Sequence, residues 1–440
     1  MKAELNTSSY INNTELLTIN IEVLKIYKPL LILALLATGC SSDEPAPADE
    51  PTAPEVPTAP VTFELTAAES RAAEATRGFN MDFFRAICAS KDVTGTISTS
   101  PVSASILLAM TANACDAETR RQIVDAIGCN DIEALNSLSN KFLEAMPLVD
   151  PEVKTALANS VWYHKGYTLN TKFADIIDKH YAGEKYGRNL QTGDQTVANE
   201  INAWVGGKTE GLIDKIISTD DLNKETVMIM ANALYFKGSW ANPFEPDNTA
   251  KKDFAGASQS TKIDMMQHTG MQHYAESDNF QAVKMEYGKG AFEAVIVLPA
   301  EGLDINEFIA SDELDKLANL KYNDEPIEFS LPKLKIEAQK IWLNVPLAAM
   351  GIRNIGEMQN YSIFTETIEA KSNIYQKATI EFTEEGAEGS AITWNGMVTA
   401  PGPDAPASAK PVMNVNRPFV FFINETTTGV CLFATRVTDL

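Results

Sequence analysis

Histidine, cysteine and carboxylate side chains could provide acid–base, nucleophilic or metal-assisted chemistry here, but their spacing matches no recognised catalytic pattern. The four histidines, His164, His180, His268 and His273, stand outside any HExxH-type ligand spacing. The pair His268 and His273 is more typical of surface residues near a turn than of a metal site. The sequence has no GxSxG nucleophile elbow, no P-loop and no GxGxxG turn. We therefore predict no catalytic residues, no metal site and no cofactor.

The cysteines of the main body are Cys88, Cys115, Cys129 and Cys431. Their spacing fits neither a zinc pattern nor the disulfide framework of a small secreted domain. Cys88 and Cys431 lie in apolar surroundings, which favours buried free thiols. A bridge between Cys115 and Cys129 stays open as an alternative in an oxidising compartment.

Composition indicates a large globular body with an acidic surface. Of 440 residues, 45% are hydrophobic and 22% charged, which is enough apolar content for a sizeable core. The 36 lysines and arginines against 59 acids give 36 − 59 = −23. Nucleic-acid binders need clustered basic charge, so this balance argues against a nucleic-acid partner.

The first 39 residues have the order of a secretory signal peptide. Lys25 and Lys28 precede an apolar run from Pro29 to Leu36, and small residues follow directly before Cys40. The apolar run is too short to span a bilayer as a stable helix. The segment resembles the bacterial lipoprotein signal, which implies cleavage before Cys40 and acylation of its thiol.

Residues 40–62 are rich in proline, alanine and acids. Such a segment cannot bury enough apolar surface to order itself, so we predict an extended, self-repelling tether. The acids directly after Cys40 resemble the surface-export signal of lipoproteins in the Bacteroides group. This implies a location in the cell envelope, on the outer-membrane surface or outside the cell; a plain solvated spacer is compatible with the same composition.

Residues 63–440 contain no second linker and no internal repeat, so we predict one domain. Apolar spacing predicts helices first, and runs rich in Val, Ile and Phe predict mostly strands afterwards, which favours an α+β class. The predicted helices are Ala67–Ala89, Ser103–Ala114, Ala117–Ile127 and Ile132–Ala145. The predicted strands are Val227–Phe236, Phe280–Met285, Phe292–Leu298, Ile327–Leu331, Ile374–Phe382, Phe419–Ile423 and Gly429–Thr435.

Several segments of this domain resemble the serpin family in both order and spacing. They are Ser100–Ser103, Asn159–Tyr163, Ile201–Val205, Met230–Trp240, Leu331–Leu334, Asn416–Ile423 and Gly429–Thr435. The resemblance implies the serpin fold, in which N-terminal helices pack on a large central mixed or antiparallel sheet. Further sheets and an exposed reactive loop complete that fold.

The resemblance also implies a group of buried polar residues where the central sheet parts. Ser100, Ser103 and Asn232 are polar residues within apolar runs, and buried polar groups need partners. We expect them to form one hydrogen-bonded cluster. Gln376 stands where the family often has a histidine, so this position cannot titrate. Trp240 is expected near the top of the sheet.

The segment Glu384–Thr393 matches the serpin hinge, in which small residues follow a glycine. It reads Glu384, Glu385, Gly386, Ala387, Glu388, Gly389, Ser390, Ala391, Ile392 and Thr393. A loop that enters a sheet as a new strand buries alternate side chains, and small residues allow this at little cost. Ile392 departs from the small-residue pattern, and alternation places it outward with Glu388.

The family's usual loop length places the scissile bond near Ala400. Pro401 on the leaving side would be a poor substrate position, so we favour Thr399–Ala400, with Val398–Thr399 as the next choice. Small and aliphatic residues there imply a shallow, apolar target pocket, as in elastase-like enzymes.

The resemblance implies a suicide-type inhibitor, not an enzyme, whose partner is a serine or cysteine endopeptidase. The protein is expected to be monomeric. The alternative within the fold is a non-inhibitory, surface-binding lipoprotein.

Replacing Cys40 by Ser tests the predicted anchor. Without the thiol no acyl chain can be attached, so Cys40→Ser should move the protein from the membrane fraction to the soluble fraction, while the folded body keeps its activity. Fractionation followed by immunoblotting measures this. Membrane retention of Cys40→Ser would contradict the lipoprotein assignment.

Overall fold

Three of the first four helices, α1, α3 and α4, begin at side chains that accept hydrogen bonds from their free N–H groups. The four helices are α1 (Ala67–Ala89), α2 (Pro101–Ala112), α3 (Ala117–Ile127) and α4 (Ile132–Ala145). Thr66 and Glu69 form a capping box on α1, and Asp116 and Asp131 cap α3 and α4. The predicted bounds of α1, α3 and α4 are therefore confirmed. Helix α2 is the exception, since it starts two residues earlier than expected with Pro101, which is preorganised for a first helical position.

The computed structural model describes residues 62–337, 339–366, 368–370, 372–387 and 410–440. The further helices are α5 (Thr171–Tyr181), α6 (Gln195–Lys208), α7 (Ile305–Ala310), α8 (Glu313–Lys316) and α9 (Asn344–Ala349). None of the helices in these residues combines the length and apolar character that a bilayer crossing needs.

The strands are numbered in chain order. The first ten are β1 (Ile97–Thr99), β2 (Val153–His164), β3 (Glu184–Arg188), β4 (Met228–Ser239), β5 (Ala250–Ala255), β6 (Ser260–Glu276), β7 (Phe280–Tyr287), β8 (Phe292–Pro299), β9 (Asn323–Pro332) and β10 (Leu334–Ile336). The others are β11 (Ile341–Trp342), β12 (Gln359–Tyr361), β13 (Ile368–Ala370), β14 (Tyr375–Gln376), β15 (Ile380–Phe382), β16 (Gly386–Ala387), β17 (Val412–Asn414), β18 (Phe419–Glu425) and β19 (Cys431–Val437).

Two large sheets organise these strands. One follows the order β1-β19-β18-β8-β7-β6-β9-β17, with β5 paired to β6. The other follows β10-β15-β16-β4-β2-β3 and is mixed, because β2 and β3 are parallel and its other pairs are antiparallel. Small two-stranded sheets join β11 to β14 and β12 to β13. The α+β class and a large mixed sheet are therefore confirmed.

Helix α2 lies in the interior between the two large sheets. It contacts both β19 and β4, and nearly every residue along it is buried. A helix buried on all sides is mostly apolar, and its buried Ser105 and Thr111 hydroxyls donate to backbone carbonyl oxygens within the helix. Its first turn, at Ser100, therefore sits beneath the six-stranded sheet.

The single predicted strand Ile374–Phe382 is instead two short strands, β14 and β15. Strand β14 pairs with β11, whereas β15 pairs with β10. In the described part of the chain no partner strand spans residues 377–379, so the ladder is interrupted there.

The possible bridge between Cys115 and Cys129 is not formed, because Cys88, Cys115, Cys129 and Cys431 are all free thiols.

Candidate functional site

The start of the predicted hinge is already a strand of the six-stranded sheet. Strand β16 lies between β4 and β15, with Ala387 opposite Gly238 on one side and Phe382 on the other. Ala387 is only 1% exposed. The chain thus enters the sheet from its top edge, and the first inserted side chain is small.

A tight turn from Thr383 to Gly386 reverses the chain between β15 and β16. The Thr383 amide donates to the Gly386 carbonyl oxygen at 2.9 Å, and the Gly386 amide donates back to Thr383 at 3.3 Å. Gly386 has φ 149°, and a Cβ there would overlap the carbonyl oxygen of Gly238. A glycine is required at this position by both its backbone conformation and the close approach of β4.

The Glu384 carboxylate fixes this turn to neighbouring elements. It accepts hydrogen bonds from Lys333 Nζ at 2.8 Å and from Thr249 Oγ1 at 2.9 Å, while its backbone oxygen accepts from the Phe244 amide at 2.9 Å. Burial by itself would raise the pKa of Glu384, but these hydrogen bonds outweigh it and hold the pKa below its ordinary value. The carboxylate is therefore charged at neutral pH.

Trp240 joins the end of β4 to the same turn. Its amide donates to the Glu385 carbonyl oxygen at 2.8 Å, and its indole Nε1 donates to that of Thr383 at 3.0 Å. The ring stacks on Tyr287 at 4.3 Å between centroids and meets Phe382 edge-on. Trp240 is thus at the top of the sheet beside the hinge, where its two N–H groups hold the turn.

A cleft continues from Ala387 between β4 and β15. Leu234 and Phe236 line it on one side and Ile380 on the other, while Leu212 and Ile213 line it from the segment after α6. Both flanking strands are antiparallel to β16, so they run in the same direction as each other. Within the described residues, no strand pairs with β4 or β15 along this cleft below β16.

Ser100, Ser103 and Gln376 meet at the start of α2. The Ser100 amide donates to Gln376 Oε1 at 3.0 Å, Gln376 Nε2 donates to the Ser100 carbonyl oxygen at 2.7 Å, and Ser100 Oγ donates to Ser103 Oγ at 2.9 Å. Thr99 Oγ1 also donates to Gln376 Oε1. Sequence reasoning missed Thr99, although it directly precedes the motif that begins at Ser100.

The expected bond between Asn232 and these serines is wrong. Asn232 donates to Asn159 Oδ1 at 2.8 Å, and Asn159 donates to the Tyr181 carbonyl oxygen at 2.9 Å. The reason is the register, which places Asn232 on β4 directly opposite Asn159 on β2. Asn232 therefore belongs to the half of the sheet across the cleft from Gln376. Trp240 likewise contacts the hinge and not the serines.

Other predicted positions fall outside the described residues. They are Cys40, the later hinge residues Glu388, Gly389, Ser390, Ala391, Ile392 and Thr393, and the expected scissile region Val398, Thr399 and Ala400.

Comparison with known proteins agrees with this arrangement. Residues 74–440 match the profile of the family described as Serpin (serine protease inhibitor). Serpin-Z7 of Hordeum vulgare is 30% identical over 77% of this chain and 89% of its own. Antichymotrypsin-2 of Bombyx mori is 30% identical over 74% of this chain and 87% of its own. The native structure of the thermophilic serpin tengpin matches with a TM-score of 0.74 and 25% identity, over 86% of this chain and 96% of that one.

The chain belongs to the serpin family and has the serpin fold. Protease inhibition is the activity that the family supports, and a protease is accordingly the class of partner.

Replacing Glu384 by Gln tests the charged anchor of the hinge. We expect a loss of about 1–2 kcal/mol in the free energy of unfolding at neutral pH, because the amide loses the ion pair with Lys333. The folded pKa is lowered, so the stabilisation is present above the ordinary pKa of a glutamate and is lost as the pH falls through the folded pKa. Denaturant unfolding at neutral and acidic pH measures this.

Glu381→Gln is the matched control, since Glu381 pairs with Lys335 at 3.2 Å on the neighbouring strands and is more exposed. Glu381→Gln should lower the free energy of unfolding by less than Glu384→Gln does. A deficit of Glu384→Gln that stays constant into acid would contradict a role for the charge.

Proposed function

We propose that this protein is a suicide-type endopeptidase inhibitor whose loop is cut and then inserts into the six-stranded sheet. The observation that carries the proposal is β16. Ala387 is packed between β4 and β15 at the head of a cleft that runs on between the same two strands. A strand that continued from Ala387 would fill this cleft and pair with both neighbours.

The chemistry is supplied by the target enzyme. Its nucleophile attacks the scissile carbonyl carbon, the amine side of the loop leaves, and an acyl-enzyme ester or thioester remains. Insertion of the freed strand carries the enzyme away before water can hydrolyse that bond. Two antiparallel ladders and buried alternate side chains provide the driving force. The inhibitor itself contributes no catalytic group.

Alternation along an inserted strand explains the composition of the hinge. With Ala387 facing the interior, the two-residue period assigns Gly389, Ala391 and Thr393 to the same face. Glu388, Ser390 and Ile392 take the opposite face. The charged residue and the bulky residue are therefore both on the face away from Ala387.

The target is an elastase-like serine protease, or a cysteine protease with a similar pocket. Met397, Val398, Thr399 and Ala400 offer small or aliphatic side chains to a shallow, apolar pocket. A trypsin-type pocket, with its acidic base, would find no basic residue in this stretch, and Lys410 is ten residues beyond Ala400.

The protein acts as a monomer held at the cell envelope through acylated Cys40. The acidic residues after Cys40 support display on the outer-membrane surface or release outside the cell.

Sequencing the fragment released by proteases tests the loop assignment. After incubation with a panel that includes an elastase-like enzyme, the C-terminal fragment should begin at Ala400, or at Thr399 for the second choice. Gel electrophoresis in SDS should show a covalent complex of inhibitor and protease. A fragment that begins beyond Pro403 would contradict the assigned scissile bond, and cleavage or binding without a covalent complex would favour the non-inhibitory alternative.

Charge placed on the inward face of the hinge should convert the inhibitor into a substrate. Ala391→Arg would bury an unpaired cation on insertion, at a cost of several kcal/mol, which slows insertion relative to deacylation. Ala387 is already buried in β16, so Ala387→Arg would carry a similar cost in the intact protein and should also lower its melting temperature. Initial cleavage should be almost unchanged, while the covalent complex should fall at least tenfold. Complex yield and the melting temperatures of the intact and cleaved forms measure both effects.

Ser390→Arg is the matched control, because it adds the same charge to the opposite face and should keep most of the inhibition. Full inhibition by both alanine variants, or equal melting temperatures before and after cleavage, would show that the loop does not insert.

A further inference from the structure

The cleft divides the six-stranded sheet into two halves. The first half contains β4, β2 and β3, with α6 packed against them; the second contains β15 and β10, and the chain of β15 continues back into β14. At the top of the cleft, the hinge turn and Trp240 join the halves. At the opposite end of the cleft, near the start of β4 and near β14, a different segment connects the two halves.

A strap formed by residues 209–222 leads from the end of α6 along the cleft. Thr209, Leu212 and Ile213 of this strap line the cleft. The Asn202 side chain in α6 holds the strap in place, because Oδ1 accepts from the amides of Ile216 at 2.8 Å and Ile217 at 3.1 Å. The strap therefore belongs to the first half of the sheet.

One ion pair fastens the strap to the second half. Lys340 Nζ lies 3.0 Å from both carboxylate oxygens of Asp221 and 4.1 Å from the ring centroid of Tyr375. Asp221 is itself held by the amide and hydroxyl of Ser218. Lys340 directly precedes β11, which pairs with β14 and thereby with the chain that leads to β15. Within the described residues no other hydrogen bond or ion pair links the strap to the second half.

We propose that the clasp formed by Asp221, Lys340 and Tyr375 holds the strap over the cleft and sets the rate at which the sheet opens. A strand that enters between β4 and β15 must push the two halves apart, so the clasp has to stretch or break. The Asp221 side chain is 22% exposed and the Lys340 side chain 32%. Water and salt therefore screen this ion pair less than an ion pair on an open surface. The part of this proposal that concerns loop insertion rests on the proposed function. The part in which the clasp joins the two halves of the sheet does not.

The test uses the full chain with Asp221→Asn, Lys340→Met and the double variant. Hydrogen exchange of residues 228–238 and 372–382 in the intact protein, without protease, should be roughly threefold to tenfold faster in each single variant, as expected for loss of a partly shielded pair. The double variant should show no further increase, because both changes break one contact. After an elastase-like protease is added, the share of cut inhibitor found in the covalent complex should rise.

Glu184→Gln is the matched control, because Glu184 pairs with Lys208 at 2.8 Å and Lys208 lies over Trp204, but all three residues are in the first half. It should leave exchange near β15 unchanged. The clasp is overturned if Asp221→Asn matches wild type in exchange, or if the single effects simply add. Absence of a covalent complex with the wild-type protein would instead overturn the proposed function, while the exchange result would still decide the clasp.

Discussion

The structure depends on an incomplete sheet in which two neighbouring strands run in the same direction without pairing. Strand β16 separates β4 and β15 at the top and is antiparallel to both. Below it, the described residues provide no strand partner along the facing edges. Backbone N–H and C=O groups strongly favour pairing, so an antiparallel strand there would be more favourable than an open cleft. The proposed insertion would supply such a strand.

The contacts that hold the cleft are unequal at its two ends. The hinge end is fixed by a turn in which Gly386 is sterically required, and by the hydrogen bonds of Glu384 and Trp240. At the far end, the ion pair between Asp221 and Lys340 fastens the strap to the second half. Under the proposed insertion, the sheet would part at the strap end, while the hinge end keeps its contacts.

Local signals in the sequence predicted most elements, because caps and periodicity are short-range. Apolar spacing predicted the bounds of α1, α3 and α4, and motif order indicated the family. Two features depended on long-range register and were not predictable. Asn232 bonds to Asn159 because two distant strands align there, and the strand expected from Ile374 to Phe382 is interrupted because its partners are separate strands. The contact between Asp221 and Lys340 likewise joins residues 119 positions apart.

The polar contacts of Gln376 and of Glu384 respond differently to acid. The Gln376 amide both accepts from Ser100 and Thr99 and donates to Ser100, so it ties α2 to β14 through groups that do not ionise. A histidine at this position would gain a proton and lose an acceptor in mild acid. Glu384 at the hinge, by contrast, depends on its charge, and the hydrogen bonds that lower its pKa delay its protonation to more acidic pH. Of these two contacts, only the one made by Glu384 therefore weakens in acid. The hydrogen bonds between Gln376 and the start of α2 do not depend on pH in this way.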